Sequence, residues 1–252
     1  MFFVSFAAGI FLVVPKMGVD FTLLYPAGKA VWSLQNPYVA APLFFNPPWA
    51  LLILTPLSLL PIQAARWLWL VLAMVGYFIV FKRLNLSKFA TIAMFLSPFV
   101  YFDLGIGNLD WLVLLGATLP PTFGSWVVFL KPQISFALIA LWVKQKNWLA
   151  VLPVIALGIL FLVGFWNLPT TKEMLWSADI FPYGVPIGLT LIYFAFKKND
   201  NLLALAAMPF LSPYLALQSW IFALLPLTRN KYLLSIGVVA SWIFAVWFTG
   251  RV

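Results

Sequence analysis

The sequence predicts an all-α, polytopic integral membrane protein, and three observations lead there. The 252 residues are 64% hydrophobic and only 8% charged, whereas a soluble domain is about half apolar and a quarter charged. Apolar runs recur from one end of the chain to the other, so no soluble domain can be carved out. Thirteen Trp and eight Tyr suit the aromatic belts at the two membrane–water interfaces. In hydrocarbon every backbone N–H and C=O must be paired within the protein, and an uninterrupted apolar segment does this as a helix.

Charges, Pro and Gly cut the chain into apolar segments at 2–15, 63–81, 88–102, 109–119, 122–130, 133–143, 148–166, 183–196, 202–212, 214–227 and 232–248. They predict about 9–11 transmembrane helices in a single domain over 1–252, although several fall short of the ~20 residues of a full span. Segment 2–15 has no basic n-region and no clear small-residue cleavage site, so it reads as a retained first helix and not as a signal peptide. Within 109–143, "LPPTFG" and the Pro of "FLKPQ" leave only short or kinked helices. Irregular backbone of that kind is tolerated where it lines a cavity. "NPPWALLILTPLSLLP" (46–61) is apolar but too short to cross. Pro is tolerated in a first helical turn and Trp49 suits the headgroup level, so this stretch is expected to lie in the interface. Residues 20–61 then form one outer loop carrying interfacial helices.

Orientation follows from the basic residues. With the N-terminus inside and the segments alternating, "FKRLNLSK", "KQK", "KKNDN" and "TRNK" all face the cytoplasm. These loops carry Lys82, Arg83, Lys88, Lys144, Lys146, Lys197, Lys198, Arg229 and Lys231. Asp20, Asp103, Asp110, Glu173 and Asp179 then face outward, and of the acidic residues only Asp200 faces inward. Acidic residues played no part in choosing the orientation, so their gathering on one face points to chemistry on the outer side of a multi-pass plasma-membrane protein.

The chain has no Cys and no His, which removes thiolate metal sites and the usual proton-transfer base. No metal site or cofactor is expected, and proton chemistry falls to Asp, Glu, Tyr or Lys. The net charge of +9 is explained by cytoplasmic loops, so no nucleic-acid partner is implied. Lys131 is a lone cation inside an apolar stretch, and an ionisable residue in such a place is a functional hypothesis by default. It also reads as a snorkelling lysine. Asp20, between Lys16 and Lys29 just past the first apolar run, reads as an N-cap or as a carboxylate with a chemical role. Asp103 and Asp110 fit either a site or simple solvation of the "DLGIGN" turn, and the tyrosines also fit the interfacial belts.

Several motifs carry a resemblance. After the first apolar segment come Asp20, Tyr25, "NPY" (36–38), "FFNPPW" (44–49) and "LLPIQAARW" (59–67). "LDWLVLLGATL" and "FLKPQISFALIALWVKQKNW" follow, and later "LSPYLALQSWIFALLPL". This pattern resembles the GT-C superfamily of membrane glycosyltransferases, and more narrowly glycosyltransferase family 87, the polyprenyl-phosphate-mannose-dependent mannosyltransferases. The resemblance implies a GT-C-like fold and transfer of a sugar, mannose first, from a polyprenyl-phosphate donor to an outward-facing glycan or lipid acceptor, with inversion. The lipid-linked sugar is a substrate, and membrane lipids are the surrounding partners. Asp20 would be the general base. Lys131 and Arg66 would bind the donor phosphate. Tyr25, Tyr38, Asp103, Asn108, Asp110, Gln133, Ser212 and Tyr214 would form the substrate-contacting set. A second reading is a catalytically inactive GT-C-like subunit with a protein partner in a larger membrane complex. It is favoured by the short chain and by a polar turn that reads "LGIGN" where the family has a Gln. A transporter ranks below both, because no pair of segments shows internal repetition.

Overall fold

The computed structural model describes residues 18–163 and 177–249. The expected helix 2–15, Lys16, Glu173 and the end of segment 148–166 lie outside the described residues. Every regular element among the described residues is helical.

The expected outer loop folds into short helices: α1 (Val19–Trp32), α2 (Pro37–Ala40) and α3 (Leu51–Leu57), the last preceded by a 3₁₀ turn at Pro48–Ala50. Asn36 caps α2 by accepting the Tyr38 N–H at 2.9 Å, and Pro37 follows in the first helical position, where its missing N–H is no loss. The run Pro48–Leu57 is about 15 Å long at 1.5 Å per residue. It is too short to reach across ~30 Å of hydrocarbon. At Gly28, α1 touches α3: a Cβ there would lie 2.6 Å from the Leu54 carbonyl oxygen.

The next element, α4 (Ile62–Arg83), is long and apolar enough to cross a membrane. It is followed by α5 (Lys88–Phe95) and α6 (Pro98–Ile106), which are bent by 56° at Leu96–Ser97. Pro98 begins α6 behind the capping Ser97, so the Leu96 carbonyl loses its helical partner. The indole N–H of Trp242, from the far end of the chain, donates to that carbonyl at 2.9 Å, satisfying a group that lipid cannot.

A series of shorter helices comes next: α7 (Asp110–Ala117), α8 (Pro121–Val128), α9 (Pro132–Lys144), α10 (Leu152–Leu162, after a 3₁₀ turn at Trp148–Val151), α11 (Val185–Lys198) and α12 (Asn201–Leu211). Two 3₁₀ turns, Leu217–Trp220 and Leu225–Arg229, flank α13 (Ile221–Leu224), and α14 (Lys231–Thr249) follows. The bounds of α7–α12 track the apolar segments of the sequence, but these helices are shorter than a full span. Among the described residues two helices, α4 and α14, are long and apolar enough to cross, or three if the bent α5–α6 pair is one span. The expected count of about 9–11 included several segments shorter than a full span. The prolines that open α6, α8 and α9 stop the ladder before it reaches that length. Instead the short helices pack on one another. At Gly124 a Cβ would lie 2.4 Å from the Gly116 carbonyl, so small residues let α7 and α8 meet backbone to backbone. Buried apolar side chains from Phe21 to Ala245 form a single cluster.

The four basic loops gather at one end of the helices. Arg83 donates to the Thr118 carbonyl, Lys144 donates to Phe196 O and Asn199 Oδ1, and Leu84, Lys198, Asp200 and Arg229 line a shared groove. Residues 20–61 join the other end of α4, about 33 Å away along its axis. Because the chain has no Cys, single cysteines report sidedness cleanly. Lys82→Cys and Val39→Cys, both at exposed positions, are expected to react with a membrane-impermeant maleimide from opposite sides of sealed vesicles. Reaction of both from one side would overturn this arrangement.

Candidate functional site

The site begins where α1 meets the end of α6. Gly18 precedes α1 with φ 85°, a left-handed conformation that glycine adopts without strain, and its N–H donates to the Gly105 carbonyl at 2.7 Å. α6 ends at Gly107, also left-handed at φ 76°, and the Gly107 carbonyl accepts the Trp69 indole N–H at 3.0 Å. These two bonds fix the "LGIGN" turn against α1 and α4. Asn108 leaves the turn with its amide Nδ2 donating to Asp20 Oδ2, while its Oδ1 accepts the Leu109 N–H at 2.6 Å. Asp20 therefore sits in the first turn of α1 and is not its N-cap, a position that Gly18 occupies.

Immediately after Asn108, Asp110 opens α7 completely buried. Its Oδ1 lies 2.7 Å from Lys131 Nζ, and its Oδ2 accepts the Ser219 hydroxyl at 2.9 Å. Lys131 also donates to Ser219 Oγ at 3.3 Å. Lys131 stands at the N-cap position of α9, ahead of Pro132, and is 7% exposed. It is therefore committed to a buried triad and does not snorkel. Asp103 is 1% exposed and accepts the Tyr77 hydroxyl at 2.6 Å. With both carboxylates enclosed, solvation of the turn by Asp103 and Asp110 is excluded.

Asp20 is half-buried at the edge of this cluster. Burial pushes its carboxyl up from the ordinary 3.8, the Lys131 charge and the Asn108 amide pull it down, Asp110 pushes it up again, and the net result is a raised pKa. Lys131 is thus the cation that acts on Asp20. Lys29 is exposed at the last turn of α1, about 13 Å along the axis from Asp20, and Lys16 lies outside the described residues. Tyr214 joins the same environment: burial raises its phenol, Lys131 lowers it and Asp20 raises it. Ser212 places Tyr214, accepting its N–H at 3.3 Å and donating to its carbonyl.

Arg66 is half-buried on the first turns of α4. Gly18 lies against its guanidinium, since a Cβ would come within 2.5 Å of Nε. Arg66, Gly18, Phe21, Trp69 and Gly105 line a cavity of about 20 Å³, room for roughly one water. Among the described residues no hydrogen bond or ion pair engages Arg66, so its charge faces that cavity uncompensated.

Three sequence-selected residues stand apart. Tyr25 donates to the Leu60 carbonyl at 2.7 Å and Tyr38 to the Asn46 carbonyl at 2.9 Å, so both brace the outer segment. Gln133 is half-buried in the first turn of α9 and makes no hydrogen bond to the cluster among the described residues. Conversely, Ser219, Tyr77 and Trp69 escaped the sequence reading. Ser219 did have a signal: "QS" interrupts the apolar run 214–227, and Gln218 beside it is 3% exposed with no partner for its Nε2 among the described residues. No three His, Cys, Asp or Glu side chains among the described residues come together to hold a metal.

Breaking a buried ion pair from one side typically costs about 3–5 kcal/mol, because the other charge is left uncompensated. Asp110→Asn and Lys131→Met are each expected to lower the thermal midpoint of the purified chain markedly, and Asp110→Asn/Lys131→Met to recover part of the loss. Additive losses in the double variant would show that the two charges are not coupled.

No protein-family model matches the chain, and neither does any curated protein or solved structure.

Proposed function

We propose that the chain is a membrane glycosyltransferase that moves a sugar, mannose first, from a polyprenyl-phosphate donor to a glycan or lipid acceptor on the outer side. In this proposal the chain is GT-C-like in fold and related to glycosyltransferase family 87. The observation that carries it is the seating of Asp20: a half-buried carboxylate oriented by the Asn108 amide, influenced by the Lys131 charge, at the end of α4 away from the basic loops. A lipid anchors the donor phosphate at the interface, and an acceptor arrives from the aqueous side, so the two reactants meet at such a helix end.

The acceptor oxygen attacks C1 of the sugar from the face opposite the phosphate, the C1–O bond breaks, and its electron pair leaves with the lipid phosphate. Asp20 takes the proton from the acceptor hydroxyl. The leaving group is already a phosphate ester and needs cations more than an acid. Arg66, without a partner among the described residues, is the cation free to take the phosphate. Lys131, paired with Asp110, supplies a field that favours the base form of Asp20 against the larger opposing effect of burial.

Two observations favour the second reading, a non-catalytic GT-C-like subunit of a membrane complex. The cavity at Arg66 has room for about one water, and the Lys131 charge is neutralised in its triad.

Sugar transfer from polyprenyl-phosphate donors, measured with the full chain in liposomes, decides between them. Asp20→Asn is expected to cost roughly 10²–10⁴-fold in rate, and Arg66→Gln to raise the KM for donor. An Asp20→Asn variant with full activity would remove the base assignment, and an inert wild type with every donor would put the subunit reading first. The pH profile supplies an independent check. A carboxyl with a raised pKa keeps its proton to higher pH, so its base form is lost on acidification sooner than that of an ordinary Asp at 3.8. Activity is expected to fall on the acidic side with a midpoint above that value. Asn108→Ala, which deletes a hydrogen bond that lowers the pKa, should move the midpoint further up.

A further inference from the structure

The end of the molecule away from Asp20 carries a groove of about 410 Å³, a volume within the ~300–1,000 Å³ common for small-molecule sites. Leu84, Lys198, Asn199, Asp200, Asn201 and Arg229 line it. Arg229 is held by Asp200, with Nη2 2.9 Å from Oδ1. That carboxylate is the only acidic side chain among the described lining residues. Lys198 has no carboxylate partner among the described residues; its ammonium lies 5.6 Å from the Phe194 ring centroid. Two more cations flank the groove: Arg83, on the Thr118 carbonyl beside the lining residue Ala117, and Lys144, 3.1 Å from Asn199 Oδ1. Two cations in the groove and two at its flanks therefore stand against one lining carboxylate.

The depth of the groove is set by the helices. It lies where α4 ends at Arg83 and α14 begins at Lys231, the two helices long and apolar enough to cross a membrane, so a crossing by these helices puts the groove at the level of lipid phosphates. Cations at that level attract anionic headgroups. A second feature asks for more than charge. The side-chain oxygen of Asn201, a lining residue, is buried and has no donor among the described residues. An unpaired buried acceptor is costly, and a hydroxyl entering the groove beside Asn201 would supply the missing donor.

We propose that this groove binds the headgroup of an anionic phospholipid bearing hydroxyls, of the phosphatidylglycerol type. Its phosphate sits on Lys198 and Arg83, and a headgroup hydroxyl donates to Asn201. The site rests on the chain crossing the membrane and is independent of the transferase reading.

The test uses the full chain in detergent, with thermal unfolding followed as lipid is titrated in. Phosphatidylglycerol is expected to raise the midpoint well above the effect of phosphatidylcholine. Phosphatidylmethanol, equally charged but without hydroxyls, should act more weakly. Lys198→Gln and Arg83→Gln, both exposed positions that should leave folding intact, are each expected to weaken phosphatidylglycerol binding about fivefold. Asn201→Ala should abolish the preference over phosphatidylmethanol. The proposal is overturned if phosphatidylglycerol and phosphatidylcholine shift the midpoint equally, or if inorganic phosphate at the same concentration reproduces the shift. Equal response to phosphatidylglycerol and phosphatidylmethanol in the wild type would remove the hydroxyl assignment.

Discussion

Lys131, Asp110 and Ser219 come from three parts of the chain separated by 21 and 88 residues, and they meet as one buried ion pair closed by a hydroxyl. Away from water such a pair tolerates little movement, because separating the charges exposes each to its full desolvation cost. The start of α7, the start of α9 and the 217–220 turn are therefore held to one another. Asn108 lies two residues before Asp110, so the triad also fixes where the Asn108 amide points. The amide in turn places Asp20, and with Asp20 the first turn of α1 and the outer segment that follows. A polar contact thus determines the position of the one carboxylate at the edge of the cluster.

The counterpart is Asp103. It is as deeply buried as Asp110 but leans on a tyrosine hydroxyl in place of a cation. The two aspartates are neighbours across the "LGIGN" turn and share the influence of a single lysine. Placing the cation on Asp110 and the phenol on Asp103 separates their roles. One carboxylate anchors helices, and the other fastens α6 to the middle of α4.

Much of this was legible because charge is so rare in the chain. Asp20, Asp110 and Lys131 stood out as isolated ionisable residues in apolar sequence, and the breaks at Pro121 and Pro132 marked helix starts closely, whereas Pro98 fell inside the expected segment 88–102 that the structure bends. What the sequence did not convey was length and pairing. Hydropathy is a local average, so several apolar runs entered the expected count of spans although they fall short of a crossing, while 46–61 and 109–143 already showed their prolines as breaks. Ser219 and Tyr77 were overlooked for a different reason: a hydroxyl in an apolar helix resembles any belt or lipid-facing residue until its partner is seen. Nothing in the spacing of 77 and 103, or of 110 and 219, announces the contact. The N-cap reading of Asp20 failed because glycine, two positions earlier, had already turned the chain.

The bond from Trp242 to the Leu96 carbonyl has a consequence for biosynthesis. Trp242 follows Leu96 by 146 residues, so α5 and α6 are made while α14 is still unsynthesised. Until α14 docks, the backbone oxygen at the Leu96–Ser97 bend lacks its indole partner. Maturation of the α5–α6 element is thereby deferred to the last helix described. A ribosome stalled before residue 242 would leave a nascent chain with its hydrophobic segments in place and that bend still open to chaperone or protease.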